Sequence, residues 1–182
     1  MKTVRLIAPF GKNDVKNLRQ GDEVLLSGVI YTARDAAHKK MCEILASGKR
    51  IPLDLKNICL YYCGPTPPRD KMPIGSCGPT TSSRMDRFAV KLMALGVTGM
   101  IGKGSRSDEV RVAIKRYGCI YFIATGGIGA LLATKVRSSR VVLFKELGPE
   151  AVHKLEVKDF PLIVGIDPKG NCIYGKAGRK KA

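Results

Sequence analysis

The stretch Gly78-Pro79-Thr80-Thr81-Ser82-Ser83-Arg84 leads from a Gly-Pro turn into an amphipathic segment at residues 85–95. The apolar residues of that segment, which fall on one face of a helix, are Met85, Phe88, Ala89, Leu92 and Leu95. Gly96 follows directly, as glycine often does just past a helix end. The stretch therefore predicts a turn, the start of a helix and a buried apolar face.

Several hydroxyl side chains and an arginine stand where this helix begins. The first N–H groups of a helix are unpaired and carry the positive end of its dipole, so they attract a carboxylate or a phosphate. In the alternative interpretation, one of Thr81, Ser82 and Ser83 is only an N-cap. A cap needs a single side chain, whereas this stretch adds further hydroxyls and a guanidinium. We therefore favour an anion site.

The order of strand and helix patterns indicates the fold class. Apolar, β-branched runs predict strands at residues 4–8, 23–30, 58–62, 97–101, 120–124, 141–144, 162–166 and 172–174, the last two joined by a turn. Periodicity predicts helices at about residues 33–46, with Thr32 as a cap, at 85–95, at about 108–117 and in a short piece from about 128. This order predicts a single α/β domain over residues 1–182, built on a mixed sheet.

Length and composition bound the class of protein. The chain has 182 residues, enough for one substantial core, and 45% of them are hydrophobic, as in ordinary globular proteins. No apolar run approaches the ~18 residues that a membrane span requires, and residues 1–10 are typical of a first strand and not of a signal peptide. We expect an intracellular, cytoplasmic protein with a flexible basic tail at residues 176–182.

The formal charge of +17 has two interpretations. It fits a solvated, lysine-rich surface, and it also fits an anionic partner such as a nucleic acid or an acidic substrate. Only 6% of the residues are aromatic, Trp is absent, and no basic stripe is interleaved with aromatic residues. Nucleic-acid binding is therefore not expected, although charge alone decides little.

Six cysteines are spread over segments that we expect in the core: Cys42, Cys59, Cys63, Cys77, Cys119 and Cys172. A chain of this length does not depend on disulfides, so reduced and mostly buried thiols are expected. Their spacing matches no zinc or iron–sulfur motif, and we expect no metal site within this chain. Cys77 lies just before the Gly-Pro turn, and its role stays open.

A second candidate site residue stands where a predicted strand passes into the first long helix. Arg34 lies in the first helical turn, where a cation opposes the helix dipole, so helix stability does not explain it. It fits a bidentate clamp on a carboxylate, and it equally fits a structural partner of Asp35 or of a neighbouring strand. For His38, one turn further on, a satisfied polar role is favoured over catalysis.

A third candidate follows a predicted strand, in the sequence Ile101-Gly102-Lys103-Gly104. The two glycines let the backbone approach a ligand closely, at the strand end where ligands of α/β sheets tend to bind. A plain turn is the alternative, and the spacing excludes a nucleotide-binding phosphate loop. A further glycine-rich turn, Thr125-Gly126-Gly127-Ile128-Gly129, is attributed to close packing outside the site.

Arg34, Arg84, Lys103 and Thr80 together fit a small dicarboxylate. Arginines bind carboxylates, the lysine neutralises charge, and the Thr80 hydroxyl is a candidate for moving a proton. The sequence shows neither a paired general acid and base nor a metal motif. The chain is therefore expected to supply only part of an active site.

At these residues the chain resembles the β subunit of two-subunit class I fumarate hydratases and the similar L(+)-tartrate dehydratase β subunit. The resemblance spans nearly the whole chain. It rests on Gly21-Asp22, Leu26-Ser27-Gly28, Thr32-Ala33-Arg34-Asp35-Ala36-Ala37-His38, Gly78-Pro79-Thr80-Thr81-Ser82-Ser83-Arg84-Met85-Asp86, Ile101-Gly102-Lys103-Gly104, Gly148-Pro149-Glu150-Ala151 and Val157-Lys158-Asp159-Phe160-Pro161. It implies a swivelling β/β/α domain that closes over a [4Fe–4S] cluster held by three cysteines of an α subunit.

The resemblance also implies an activity, a hydro-lyase that adds water reversibly to fumarate to give L-malate within a hetero-oligomer. The open fourth iron of the partner's cluster would act as a Lewis acid on the substrate. Arg34, Arg84 and Lys103 would grip the substrate carboxylates, and Thr80 would transfer a proton with help from an α-subunit carboxylate. Cys77 is not a cluster ligand in this picture.

Two alternatives stay open. The same cationic residues would serve the dehydration of L(+)-tartrate by a closely similar complex. A non-catalytic basic module that binds nucleic acid or assists assembly belongs to another class of protein, and its binding to DNA or RNA would weaken steeply with salt.

Overall fold

A computed structural model describes residues 2–68 and 71–175, and within these ranges strands and helices alternate as the sequence predicts. The strands are β1 (Thr3–Ala8), β2 (Glu23–Thr32), β3 (Cys59–Tyr61), β4 (Gly99–Gly102), β5 (Ile120–Ile123), β6 (Val136–Leu143) and β7 (Val152–Ile166). The helices are α1 (Lys12–Val15), α2 (Asp35–Ala46), α3 (Asp86–Ala94), α4 (Asp108–Tyr117) and α5 (Gly129–Ala133), with 3₁₀ turns at Ser82–Met85 and Lys145–Glu150. The predicted tail at residues 176–182 lies outside the described residues.

The strands form one mixed sheet that closes on itself, which confirms the predicted α/β class. β1 to β5 run parallel in chain order. β7 is antiparallel to β2 along one side, while its other side pairs with β6 near its start and with β5 near its end. The ring therefore runs through β2, β3, β4, β5 and β7 and returns to β2. β1 and β6 flank it.

Alternate residues of these strands build two separate cores, one on each face of the sheet. The inner cluster takes side chains from every strand of the ring and includes Leu26, Tyr61, Phe122 and Phe160. The outer cluster joins Leu60, Met100 and Tyr121 to the apolar faces of α2, α3 and α4. This arrangement leaves the ends of the strands free to carry functional residues.

The helix bounds follow local signals closely. α4 begins after Ser107, whose hydroxyl accepts a hydrogen bond from the Val110 N–H at 3.3 Å, and it ends at Gly118 in the left-handed conformation. The predicted helix at residues 85–95 is confirmed within a residue at each end, entered through the 3₁₀ turn. Leu95, expected on its buried face, is 46% exposed because it stands past the last helical turn.

Three local predictions were wrong. Thr32 does not cap α2, because its hydroxyl accepts a hydrogen bond from the His153 N–H across the sheet, and Arg34 occupies the capping position. β7 begins ten residues before the predicted strand at 162, and residues 172–174 form only an isolated bridge at Cys172. The lysines and glutamate between Val152 and Pro161 concealed an alternating strand with one buried face.

No helix within residues 2–68 and 71–175 combines the length and the apolar character that crossing a bilayer would require.

Candidate active site

The carboxyl ends of β2, β3, β4 and β5 meet at one edge of the closed sheet, since these strands are parallel. Arg34 stands two residues after β2, and Lys103 comes directly after β4. Parallel sheets bind their ligands at this edge. Two of the predicted site residues are therefore carried by separate strands to the same end of the domain.

A short segment that includes Thr80 is inserted between the ends of β3 and β4. The Thr80 N–H donates to the Tyr62 carbonyl at 2.6 Å, and the Lys103 N–H donates to the Thr80 carbonyl at 3.3 Å. The Ser82 N–H donates in turn to the Lys103 carbonyl at 2.9 Å. Backbone hydrogen bonds thus hold Thr80 and Lys103 as neighbours, as the dicarboxylate hypothesis requires.

The hydroxyls of the inserted segment have different environments. Ser82 is buried, and its Oγ donates to the Tyr121 hydroxyl at 2.9 Å, which itself donates to the Gly104 carbonyl at 2.8 Å. A β-carbon at Gly102 would lie 1.9 Å from that Oγ, so only glycine leaves room for the serine. Ser82 therefore fixes the loop, while Thr80 is half-buried and free of this network.

The capping interpretation of these hydroxyls was wrong. Neither the 3₁₀ turn Ser82–Met85 nor α3 receives a side-chain hydrogen bond at its capping position. Thr81 and Ser83 are instead exposed at the edge of the sheet. Their presence is consistent with the anion-site hypothesis, which stays a prediction.

Arg34 and Arg84 converge on one carboxylate. The Arg84 Nε donates to Asp35 Oδ1 at 2.9 Å, and the Arg34 Nε lies 3.8 Å from Asp35 Oδ2. Arg34 Nη2 also lies 3.6 Å from Glu150 Oε1. A β-carbon at Gly64 would come within 3.0 Å of the Arg34 side chain, so that glycine makes room for the guanidinium. Structural pairing of Arg34, one of the two open interpretations, is therefore present.

This pairing does not enclose the Arg34 side chain. Its Nε is buried next to Asp35 and has no acceptor within hydrogen-bond distance in the described part of the chain, so the exposed part of the guanidinium is what a ligand could reach. The arginine side chain is 24% exposed, whereas that of Arg84 is 52% exposed. A carboxylate that enters from solvent would find donors on both guanidiniums, so structural pairing and ligand binding are compatible.

The four predicted site residues thus form two linked pairs. Arg34 and Arg84 are joined through Asp35, whereas Thr80 and Lys103 are joined through their backbones. The two pairs are connected by the chain itself, since Arg84 stands four residues after Thr80.

The glycine-rich turn after β5, which the sequence attributed to close packing outside the site, lies against the Lys103 side chain. A β-carbon at Gly126 would be 3.6 Å from Lys103 Cδ and 4.0 Å from its Nζ. Gly129 does serve close packing, because a β-carbon there would be 2.8 Å from the Gly78 nitrogen. The turn therefore borders the lysine and also supports the Gly-Pro turn that precedes Thr80.

A buried ion pair under the site was missed by sequence reasoning. Arg106 is fully buried, and its Nε donates to Asp86 Oδ1 at 2.6 Å, while Asp86 Oδ2 accepts the Ser107 N–H at 2.7 Å. The guanidinium carbon lies 5.2 Å from the Tyr62 ring centre and 5.1 Å from that of Tyr121. An arginine just before a helix start was the available signal, the same one that identified Arg34.

His38 lies on the buried face of α2 and is shielded from the solvent-exposed site. Its Nδ1 donates to the Arg34 carbonyl at 2.8 Å, and its ring packs edge-on against Tyr62. Its Nε2 is buried and has no hydrogen-bond partner among the described residues. Burial lowers the pKa of His38 to about 4, so the ring is neutral at physiological pH. The sequence favoured a polar side chain with satisfied hydrogen bonds at this position, and the structure satisfies one of its two ring nitrogens.

The low pKa of His38 predicts a loss of stability in mild acid. Its unfolded-state pKa is near 6.5, so between about pH 6.5 and 4 the unfolded chain binds a proton that the native chain excludes. We expect the free energy of unfolding to fall by a few kcal/mol from pH 7 to pH 4.5, at about 1.4 kcal/mol per pKa unit. Urea denaturation at both pH values measures this.

The control for that experiment is His38→Gln, which removes the titrating ring. The chain has two histidines, and burial lowers the pKa of His153 as well, so part of the pH dependence remains in the variant. If the free energy of unfolding fell by the same amount between pH 7 and pH 4.5 in the wild type and in His38→Gln, His38 would not be the cause of the fall.

The buried cysteines are free thiols. Cys59, Cys63, Cys77 and Cys119 are buried, and burial raises the pKa of Cys77 and of Cys119 to about 12, so both are protonated at neutral pH. In the part of the chain that the structure describes, no three His, Cys, Asp or Glu side chains are grouped as a metal site.

Comparison with known proteins identifies relatives of this architecture. The sequence matches the fumarase C-terminus family over residues 1–177. It is 43% identical over 175 residues to a Methanocaldococcus jannaschii protein provisionally named L(+)-tartrate dehydratase subunit beta, a match that covers 93% of this chain and 90% of that protein.

Longer relatives are fumarate hydratases. The chain is 39% identical to fumarate hydratase 2 of Leishmania major over 158 residues, which cover 86% of this chain and 28% of that protein. It is 38% identical to the anaerobic class I fumarate hydratase of Escherichia coli, of which it covers 29%. The chain therefore spans less than a third of the length of these fumarate hydratases.

Proposed function

Since the chain belongs to the fumarase C-terminus family, we propose that it is the β subunit of an iron–sulfur hydro-lyase that interconverts fumarate and L-malate. Its relatives are named as fumarate hydratases and as a tartrate dehydratase subunit, which supports the lyase class. The observation that carries the proposal is the convergence of two arginines on one carboxylate, together with the backbone pairing of Thr80 and Lys103 at the same edge of the sheet.

In this proposal each site residue has a physical task. The guanidiniums of Arg34 and Arg84 bind the substrate carboxylates, since both side chains are partly exposed at this edge, Arg34 to 24% and Arg84 to 52%. The Lys103 ammonium offsets the remaining negative charge, and the Thr80 hydroxyl, held by its backbone, moves the proton. A free threonine hydroxyl is a weak base, so a carboxylate from the partner assists it.

The proposed partner is an α subunit that holds a [4Fe–4S] cluster through its own cysteines. Among the described residues no three potential metal ligands are grouped, and a relative named subunit beta matches this chain over 90% of its own length. When bound, the cluster supplies a Lewis acid at the substrate. The free cysteines support a reducing compartment, and we propose a cytoplasmic hetero-oligomer.

L(+)-tartrate dehydration is the second candidate, favoured by the 43% identity to the M. jannaschii protein. Anaerobic assays of the reconstituted complex with fumarate, L-malate and L(+)-tartrate separate the two. We expect the larger kcat/KM for fumarate. A complex that turns over none of these substrates, while the chain binds DNA in a strongly salt-dependent way, would instead favour the basic-module alternative.

The role of Thr80 predicts a specific kinetic change. Thr80→Val keeps the shape of the side chain but removes the hydroxyl, so we expect kcat to fall by about tenfold or more and KM to change little. Thr3→Val, at an exposed threonine that begins β1 away from the carboxyl edge of the sheet, is the matched control and should leave kcat unchanged. Steady-state kinetics of the complex measure both variants. A Thr80→Val variant with normal kcat would exclude the hydroxyl from proton transfer.

A further inference from the structure

Two carboxylates lie among the cationic residues of the site, and the proposed reaction gives neither of them a task. Asp35 is the first residue of α2, and Glu150 ends the 3₁₀ turn Lys145–Glu150 that connects β6 to β7. Glu150 also belongs to the motif Gly148-Pro149-Glu150-Ala151, which the sequence singled out without a function. Both side chains are about three-quarters buried, with 24% and 27% of their surface exposed.

Glu150 connects a distant loop to the start of α2. Its Oε2 accepts the Ala36 N–H at 2.8 Å, which satisfies one of the unpaired donors of the first helical turn. Its Oε1 lies 3.6 Å from Arg34 Nη2. This contact resolves the puzzle of a cation at a helix start, because Glu150 supplies the negative charge that both the dipole and Arg34 favour.

Asp35 connects the two arginines in a similar way. Its Oδ1 accepts from Arg84 Nε at 2.9 Å. Its Oδ2 is buried 3.8 Å from Arg34 Nε, and no donor among the described residues reaches it within hydrogen-bond distance. The carboxylate therefore holds Arg84 directly and attracts Arg34 by charge alone.

These contacts decide the electrostatics of the site before any ligand arrives. Arg34 and Arg84 would repel one another at the positive end of α2, and the negative charges of Asp35 and Glu150 offset their two positive charges. Neither carboxylate covers the guanidiniums completely, since the side chains of Arg34 and Arg84 remain 24% and 52% exposed. The guanidiniums are thus held in place and remain able to bind a ligand.

We propose that Asp35 and Glu150 are positioning residues that hold Arg34 and Arg84 in the geometry required by a substrate dicarboxylate. The proposal rests on the proposed function of this site. Positioning is favoured over competition with the substrate because one oxygen of Glu150 is already hydrogen-bonded to the α2 backbone and because Asp35 stands on that helix. Fixing the arginines in advance lowers the cost of ordering them when the ligand binds.

The test compares Asp35→Asn and Glu150→Gln in the reconstituted complex with wild type. Glu43→Gln is the control, since Glu43 lies on the same helix and pairs with Lys39 at an exposed site. We expect each positioning variant to raise the KM for fumarate about fivefold or more while kcat stays within about twofold. The Kd for succinate, measured by calorimetry, should rise by the same factor, and Glu43→Gln should match wild type in both.

A purely structural role would lower the thermal midpoint and the active fraction, and thus the apparent kcat, with KM and the succinate Kd unchanged. That result would overturn the proposal, and so would a KM that falls in Asp35→Asn or Glu150→Gln, because it would show competition. A wild-type complex that turns over neither fumarate nor tartrate would reject the proposed function together with this inference. An active wild type with unaffected variants rejects the inference alone.

Discussion

Replacing Lys103 with alanine is expected to lower kcat/KM for fumarate by about 10²-fold or more in the reconstituted complex. The Lys103 backbone is hydrogen-bonded to both Thr80 and Ser82, so its side chain starts from a fixed point of the sheet edge. A dianionic substrate that leaves water must meet fixed positive charge, and the loss of one desolvated partner costs about 2–4 kcal/mol. Anaerobic steady-state kinetics measure the change.

The matched control is Lys91→Ala, which removes an exposed lysine from α3 away from the carboxyl edge. It should leave kcat/KM within about twofold, since exposed charges are well screened. A near-normal kcat/KM for Lys103→Ala would remove the lysine from the site. The glycine-rich sequence around it would then be a plain turn, as the alternative interpretation has it.

Replacing Asp86 with alanine is expected to cost about 3–5 kcal/mol of folding free energy, because it leaves the fully buried Arg106 guanidinium without its counter-charge. The Ser107 N–H loses its acceptor in the same substitution. Urea denaturation of the chain measures the loss. The segment that carries Thr80 should become less ordered as well, because Arg106 packs between the rings of Tyr62 and Tyr121 and the Tyr62 carbonyl accepts the Thr80 N–H.

Asp108→Ala is the control for burial, because it breaks the ion pair between Asp108 and Arg111, which lies at the surface of α4. An exposed pair contributes about 1 kcal/mol or less. If both variants lowered the free energy of unfolding by the same small amount, the buried Arg106–Asp86 ion pair would not stabilise the fold more than an exposed pair does.

Local signals account for much of the fold. α4 was predicted from its cap at Ser107, its period and Gly118, and the structure places it at the predicted residues. The central strands were predicted because they are buried on both faces and read as continuous apolar runs. β7 was predicted only in its last third, since its first ten residues alternate with charged side chains and carry Pro161 inside the strand.

The closure of the sheet and the supports of the site depend on contacts between residues far apart in sequence. Glu150 reaches the Ala36 N–H across 114 residues, and β7 pairs with β2 over a similar separation. No local pattern encodes such pairing, because it depends on how the whole chain packs. The cationic residues were identifiable because each stands at a strand end or a helix start where its charge has no local explanation.

The central claim is that Arg34, Arg84 and Lys103 bind the carboxylates of one dicarboxylate. The most direct test is a crystal structure of the reconstituted complex with succinate, which has the length of fumarate but cannot add water. The account predicts succinate oxygens at about 3 Å from both guanidiniums and from the Lys103 ammonium. A succinate bound elsewhere, with these three side chains turned toward other partners, would contradict it.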